Sequence, residues 1–462
     1  MRKTKIVCTI GPAVDDYQKL VELCKAGMNV ARINFSHGDY EEQAKRIELI
    51  KQVRSDLNLP IPLMLDTKGP EIRIGKFKND EIYLNEGDTF TLIHDECLGD
   101  ENGVYVNYEQ LYNDVTIGSR ILVNDGLIEL EVLNIENKNI VCKVKNGGKL
   151  SNRKSINVPG LSLNLPLLSE KDRKDIIFGI QNGFDIIAVS FVRKADDITA
   201  IRDVLREYNA KQVKIISKIE NIEGVNNFDK ILEVSDGIMV ARGDLSVEIP
   251  MQEVPLLQKK FIKKCLDNAK QVIVATQMLE SMINNPRPTR AEVSDVANAV
   301  LDGTSAIMLS GETASGHYPA LCVKTMGDIA EEVEEQMEHW RILNTKTRSG
   351  DLKNTTTDLV IGHSLCEVAM QVDAPTIFSL SAHGNTPKAI SSFRPHCNII
   401  AITPDEQTAR QMNLIWGVTP IIVEKDFADV MVKNRNGNSQ KRRICCIRYN
   451  RCYWRKWYLW LS

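Results

Sequence analysis

The chain has 462 residues, of which 43% are hydrophobic and 26% charged, with a formal net charge of −3. These are the proportions of a folded globular protein with room for roughly two to four domains, and no run of 18 apolar residues marks a membrane span. The charge is uneven: residues 433–462 carry nine Lys or Arg and no acid, leaving 49 basic against 61 acidic residues before them, so the body is not a nucleic-acid binder by charge.

The opening segment Met1–Lys5 runs straight into a strand-like stretch, Ile6–Ile10, without the apolar core of a signal peptide. Eleven cysteines are scattered with no C-x-x-C pair. The expectation is reduced, mostly buried thiols in a cytoplasmic enzyme.

Eight short apolar runs follow one another, each succeeded by a helical pattern: Lys5–Ile10, Met28–Ser36, Pro62–Thr67, Asp185–Ser190, Val213–Glu220, Gly237–Asp244, Gln271–Thr276 and Ser305–Glu312. Near-continuous apolar strands alternating with helices mean a parallel sheet covered on both faces. Eight such units predict an α/β fold, a closed (β/α)8 (TIM) barrel, with an open doubly wound sheet as the alternative. Polar residues gather at the C-terminal ends of the runs, where barrel enzymes place their chemistry.

Between the third and fourth runs lies an all-β interval with strands at Glu81–Leu84, Thr89–Ile93, Arg120–Val123 and Asn139–Val144. So long an insert at the catalytic end is a candidate lid. Past the eighth unit a polar stretch, 341–353, leads to a smaller α/β pattern: a helix over Asp358–Val372 and strands at Thr376–Leu380, Asn398–Thr403 and Pro420–Val423. The expected domains are a barrel (1–70 and 168–342), a β lid (71–167), an incomplete C-terminal α/β domain (354–425) and an atypical tail (426–462).

In the fifth run Lys218 and Glu220 point the same way, and the sixth ends with Asp244. Glu220 and Asp244 on neighbouring strand ends suit a shared Mg2+, which takes one or two carboxylates plus substrate oxygens; a structural ion pair is the alternative for each. In the second run Arg32, Asn34 and Ser36 alternate onto one side, and the third adds Asp66 and Thr67. Oxygen donors beside an Arg suit a weak cation site next to a phosphate. Turn and cap chemistry before the helix near Asp39 explains Asn34 and Ser36 equally well. Arg73, at the lid junction, either fixes a hinge or clamps a phosphate. Thr276 faces the mouth, while Met278 and Leu279 read as core.

The stretches ARINFSHG (31–38), DTKGPEIR (66–73), ISKIEN (216–221), ARGDL (241–245), ATQMLESM (275–282) and LSGETA (309–314) resemble the pyruvate kinase family, in family order and spacing, over about residues 1–425. The resemblance implies phosphoryl transfer from phosphoenolpyruvate to ADP, giving pyruvate and ATP, with Mg2+ (or Mn2+) and K+ as cofactors. It implies that Arg32 contacts a phosphate, that Lys218 neutralises the phosphoryl in flight, and that Glu220 and Asp244 hold Mg2+. Asn34, Ser36, Asp66 and the Thr67 carbonyl correspond to K+ ligands, and Glu71 to the residue that goes with K+ dependence. Arg73 corresponds to a contact of the transferring group. Asn34, His37, Arg73 and Lys154 fall on the nucleotide side, and Ala241, Arg242, Gly243 and Asp244 on the substrate side. Thr276 corresponds to the group beside the enolate carbon, and Ser310 and Glu312 to the proton route. Alignment and charge neutralisation are what phosphoryl transfer needs.

Three departures qualify the resemblance. Ser246 and Ser155 stand where glycine is usual, and a positive φ at Ser246 would be strained. The segment Ser381–Thr386, with Ser381, His383, Asn385, Thr386 and Lys388, resembles a loop that binds a phosphorylated effector; a helix N-cap without ligand is the alternative. The last residues, with three of the five tryptophans in 454–462, read as a frameshifted or misread end rather than a membrane or nucleic-acid tail. The family's homotetramer is therefore expected but in doubt, and the alternative to an active enzyme is an inactive or assembly-defective product. A barrel enzyme that uses phosphoenolpyruvate without a nucleotide is a third reading.

Overall fold

A computed structural model describes residues 1–161, 166, 168–348 and 356–424; the expectations about the 426–462 tail lie outside them. Eight parallel strands close into a barrel in the order expected of successive βα units. They are Lys5–Thr9, Val30–Asn34, Leu63–Asp66, Ile186–Val189, Lys214–Ile219, Gly237–Ala241, Gln271–Ala275 and Ala306–Leu309. Closure is made by the first strand, which pairs with both the eighth and the second.

Alternation along each strand divides the core in two. Ile6, Cys8, Ile187 and Val189 pack outward against the helices, whereas Val7, Met64, Ala188, Met239 and Met308 fill the barrel axis. This is the layered interior of a packed barrel, with no pore. Polar side chains displace the apolar filling one layer higher, at the C-terminal ends.

Two expected strands end early. After Ala241 and after Leu309 the chain turns into short helices, Arg242–Glu248 and Gly311–Ala314. Arg242, Gly243, Asp244 and Glu312 are therefore on first turns rather than strands. The stretch expected to be a polar link starts as a helix, His339–Arg348, because Leu343 is drawn into the apolar cluster of the C-terminal unit.

The insert is all-β apart from one helical turn, Leu111–Asp114. A seven-stranded sheet and a two-stranded one surround an apolar cluster that includes Phe90, Leu130, Cys142 and Val144. The two strands by which the chain enters and leaves it, Ile72–Arg73 and Ser155–Asn157, pair with each other. The insert is thus tied off at its neck by a short antiparallel ladder.

The C-terminal unit has three parallel strands, Thr376–Leu380, Asn398–Thr403 and Val418–Ile422. It caps the barrel at the end opposite the polar layer. Leu414 joins the barrel-axis cluster, and Arg410 pairs with the buried Asp185 at 3.0 Å. The Lys5 ammonium donates to the Val418 carbonyl at 2.7 Å. Burial, with Arg2 nearby, pushes the Lys5 pKa down to about 7. Of the described cysteines, all free, seven are buried and Cys97 is half-buried.

A lysine depressed from 10.5 to about 7 makes stability rise with pH across that interval, because the unfolded chain then binds more protons. Relative to wild type, Lys5→Met should be most favoured near pH 7 and lose ground steadily toward pH 10, as read from denaturant midpoints. A pH-independent difference would contradict this burial. Leu414→Ala is expected to cost roughly 2–5 kcal/mol, the usual penalty for emptying a packed leucine site.

Candidate active site

The centre of the mouth is a set of buried charges from three non-adjacent stretches of sequence. Asp66, 1% exposed, receives Arg32 Nε at 2.7 Å and Lys218 Nζ at 3.0 Å. Arg32 also donates to Thr9 Oγ1 at 2.7 Å, and Lys218 lies 3.0 Å from Glu220 Oε1. Burial alone would raise the Asp66 pKa, but Arg32 and Lys218 outweigh it and hold it below the ordinary range. Burial likewise works against the Lys218 charge, and Asp66 and Glu220 reverse that and raise its pKa. Both groups are ionised at neutral pH.

Glu220 differs. Burial pushes its carboxyl up to about 7; Lys218 opposes the rise and Asp244 adds to it. Its second oxygen accepts from the Phe191 amide at 2.6 Å. The two acids repel each other and Asp244 lines a cleft, the kind of carboxylate pair that suits a divalent cation. Among the described residues no cluster of three or more His, Cys, Asp or Glu forms a fuller metal cage.

Of the four oxygen-bearing residues foreseen near Arg32, Asp66 bonds to it directly. Asn34 and Asp66 are adjacent in register on the second and third strands, and Thr67 and Ser36 follow them. The Asn34 side-chain oxygen Oδ1 accepts from the Ser36 backbone amide at 3.0 Å, so the turn chemistry foreseen as an alternative is present. An amide oxygen keeps a second lone pair. His37 is exposed.

Around the sixth and seventh strand ends, Thr276 has φ +70°, a strained value for a β-branched residue, of order 1–3 kcal/mol. Three bonds hold it. Thr276 Oγ1 accepts from the Gly243 amide at 2.8 Å and donates to the Ala275 carbonyl at 2.6 Å. Arg242 Nη2 donates to the Thr276 carbonyl at 2.7 Å. Arg242 is itself anchored by Asp295 at 2.6 Å, so its guanidinium is spent on the frame while Asp244 lines the cleft. Ala241 is buried at the strand end.

Glu312 is 2% exposed; its carboxylate accepts from the Leu279 amide at 3.1 Å and the Ser310 amide at 2.7 Å. Burial raises its pKa against those bonds. It braces the eighth strand end against the seventh. At the lid neck Arg73 pairs with Glu71 at 2.6 Å and donates to the Arg153 carbonyl at 2.6 Å, and the half-buried Lys154 follows on the same strand connection. The lid touches the barrel where Asn157 donates to Glu248 at 2.9 Å. The cleft between them is lined by Glu71, Asp125, Ser155, Asn157, Asp244 and Glu248, among others.

Ser246 carries no strain: it lies inside Arg242–Glu248, outside the positive-φ region, and its hydroxyl donates to the Gly243 carbonyl at 2.8 Å. Ser155 is an ordinary strand residue bonded to Asp125 at 2.8 Å. In the C-terminal unit Ser381 accepts from the Gly384 amide at 3.0 Å, and Asn385 and Thr386 open a seven-residue helix, Asn385–Ser391. His383 is exposed. Lys388 lies within electrostatic reach of barrel residues Asp236 and Lys214, and burial lowers its pKa.

Comparison with known proteins agrees with this architecture. Residues 1–323 match the family model described as pyruvate kinase, barrel domain, and residues 360–445 the one described as pyruvate kinase, alpha/beta domain. That second match continues 20 residues past position 425. The pyruvate kinase of Bacillus licheniformis is 52% identical over 90% of this chain and 71% of its own length. That of Clostridium acetobutylicum is 49% identical over 92% and 89%. A crystal structure of a pyruvate kinase from Cryptosporidium parvum superposes with a TM-score of 0.89 at 40% identity, covering 94% of this chain and 90% of that one. A (β/α)8 barrel carrying a β insert and an α/β cap, with charged residues gathered at its mouth, defines a class of phosphotransferases. The chain belongs to the pyruvate kinase family, and its activity is that of a pyruvate kinase, a kinase-type transferase dependent on metal. No described helix is long and apolar enough to cross a membrane.

Sequence reasoning missed Ser190, Thr9 and Asp295, each of which touches a named site residue. They carry no motif; only the closed barrel brings them in. Asp295→Ala should release Arg242 and loosen Thr276, lowering kcat by roughly 10- to 100-fold, the scale of an ångström-level misplacement. Unchanged kcat in a folded variant would show that Thr276 is held without the clamp.

Proposed function

We propose that this chain moves the phosphoryl group between phosphoenolpyruvate and ADP at the barrel mouth, with Mg2+ (or Mn2+) on Glu220 and Asp244 and K+ on Asn34, Ser36, Asp66 and the Thr67 carbonyl. The observation that carries the reading is the Arg32–Asp66–Lys218–Glu220 set, two cations and two acids buried together within electrostatic reach of Asp244, which lines the cleft. Catalysis belongs to residues 1–70 and 168–342, lid closure to 71–167, and support from below to 354–425.

Lys218 and Arg32 are aligned to receive the transferring phosphoryl, their charge guaranteed by Asp66. Such transfer demands positioning and charge neutralisation more than covalent help. Bound metal supplies Lewis-acid neutralisation of phosphate oxygens; all-oxygen donor sets fit both ions. Arg73, held by Glu71 at the lid neck, swings onto a phosphate as the lid closes, with Lys154, His37 and Asn34 on the nucleotide side. Ala241 and the Arg242–Asp244 turn border the substrate. Thr276 offers a hydroxyl to the enolate face, and Ser310 and Glu312 frame the path by which its carbon is protonated. Ser381, His383, Asn385, Thr386 and Lys388 remain the candidates for an effector contact. The setting is cytoplasmic and the assembly a homotetramer.

Pyruvate formation is to be followed by lactate-dehydrogenase coupling, with and without ADP, Mg2+ and K+. Wild-type turnover requiring all three, and lost at least about 1,000-fold in Lys218→Met, is the expected result. Turnover without ADP would overturn the nucleotide assignment, and turnover indifferent to K+ the monovalent site.

A further inference from the structure

Ser190 follows the fourth barrel strand and is 6% exposed. Its hydroxyl touches three groups already placed in the site. It donates to the Thr67 carbonyl at 2.6 Å, lies 3.2 Å from Asp66 Oδ1, and accepts from Lys218 Nζ at 2.8 Å. Its amide donates to Thr67 Oγ1 at 3.1 Å. The close approach depends on Gly69, at φ +72°, where a Cβ would sit 3.0 Å from that of Ser190 and 2.9 Å from the Phe191 ring.

A hydroxyl has one proton and two lone pairs. One lone pair takes the Lys218 bond. The proton is offered two acceptors and can serve only one at full strength, so the shorter contact puts it on the Thr67 carbonyl. Asp66 is the second choice. These two acceptors are also two of the oxygens assigned above to the monovalent cation.

We infer that Ser190 is a positioning residue linking the monovalent-cation site to Lys218: a cation on the Thr67 carbonyl displaces the Ser190 proton, which turns to Asp66. This rests on the cation reading given above. Asp66 then receives a hydroxyl and a cation as well as its two basic partners. Its hold on Lys218 loosens, and the ammonium is released toward the substrate phosphoryl. Monovalent activation and lysine placement become one event at one hydroxyl.

The coupling has an unusual signature. In Ser190→Ala the Thr67 carbonyl loses the donor that competes with the cation, so K+ should bind more tightly, by roughly three- to tenfold, the equivalent of one net hydrogen bond. Saturating K+ should nonetheless leave kcat down by about tenfold or more, with KM for phosphoenolpyruvate little changed. Ser190→Cys keeps the size and weakens the donor, and should fall between; it carries the test if the alanine variant does not fold. K+ affinity is to be measured without substrates on the full chain, by calorimetry and by the K+-induced rise in melting temperature, with tetramethylammonium holding ionic strength. Weaker or unchanged K+ affinity in both variants, where wild type binds K+, overturns the coupling and leaves the cation site standing. Wild type that fails to bind K+ at all overturns the cation site and the coupling with it.

Discussion

The structure turns on one buried carboxylate. Asp66 is the only acid that touches both Arg32 and Lys218 among the described residues, and with Glu220 it balances their two positive charges. Removing one partner of such a set leaves an uncompensated buried charge, a loss of about 3–5 kcal/mol. Lys218 and Glu220 share one strand end, but Arg32 and Asp66 come from two others, so the balance exists only once the sheet has closed. Barrel closure and assembly of the mouth are therefore the same event. Asp244 then adds an acid that the two bases do not cover, and it helps to raise the Glu220 pKa.

The two ends of the barrel do opposite work. At the mouth the side chains are polar, strained or exposed to a cleft. At the base the C-terminal unit closes the axis with Leu414 and binds the rim through Asp185–Arg410 and the Arg394 donation to the Gly303 carbonyl at 2.7 Å. Arg394 is buried against Trp416, 4.7 Å from the ring centroid, and its pKa is pushed down to about 9 by that burial. Burying cations there is tolerable because carbonyl groups and an aromatic face meet them. The base supplies rigidity, and the mouth spends it.

Much of this is visible in the sequence because period and polarity speak locally. All eight barrel strands, the four foreseen lid strands and the three C-terminal strands are short runs dominated by apolar residues or alternating with them, and their ends match to within a few positions. What was not visible has a common cause. The runs at 237–244 and 305–312 continue past their strands because Arg242 and Gly311 look no different, read along the chain, from strand ends; the contacts that hold those turns, Arg242 to Asp295 and the Leu279 amide to Glu312, come from distant sequence. Ser190, Thr9 and Asp295 lie 23 to 124 positions from the residues they serve, with nothing beside them to announce it. The strain foreseen at Ser246 failed for the converse reason: a glycine preference is a local inference, and the backbone there is helical.

The strain is elsewhere, and its placement has a meaning. Phe191 and Thr276, neither of them glycine, have φ values of +54° and +70° at the ends of the fourth and seventh strands. Each is fixed by a group from the adjoining strand's end, Phe191 by Glu220 and Thr276 by Arg242 and Gly243. Strained turns held from the side stay put only while the neighbour is in place, so the mouth is over-determined pairwise around its rim. Catalysis by positioning requires that the groups not reorganise when charge moves. A rim in which Phe191 and Thr276 are each held from an adjoining strand end meets that requirement with the barrel's own connectivity.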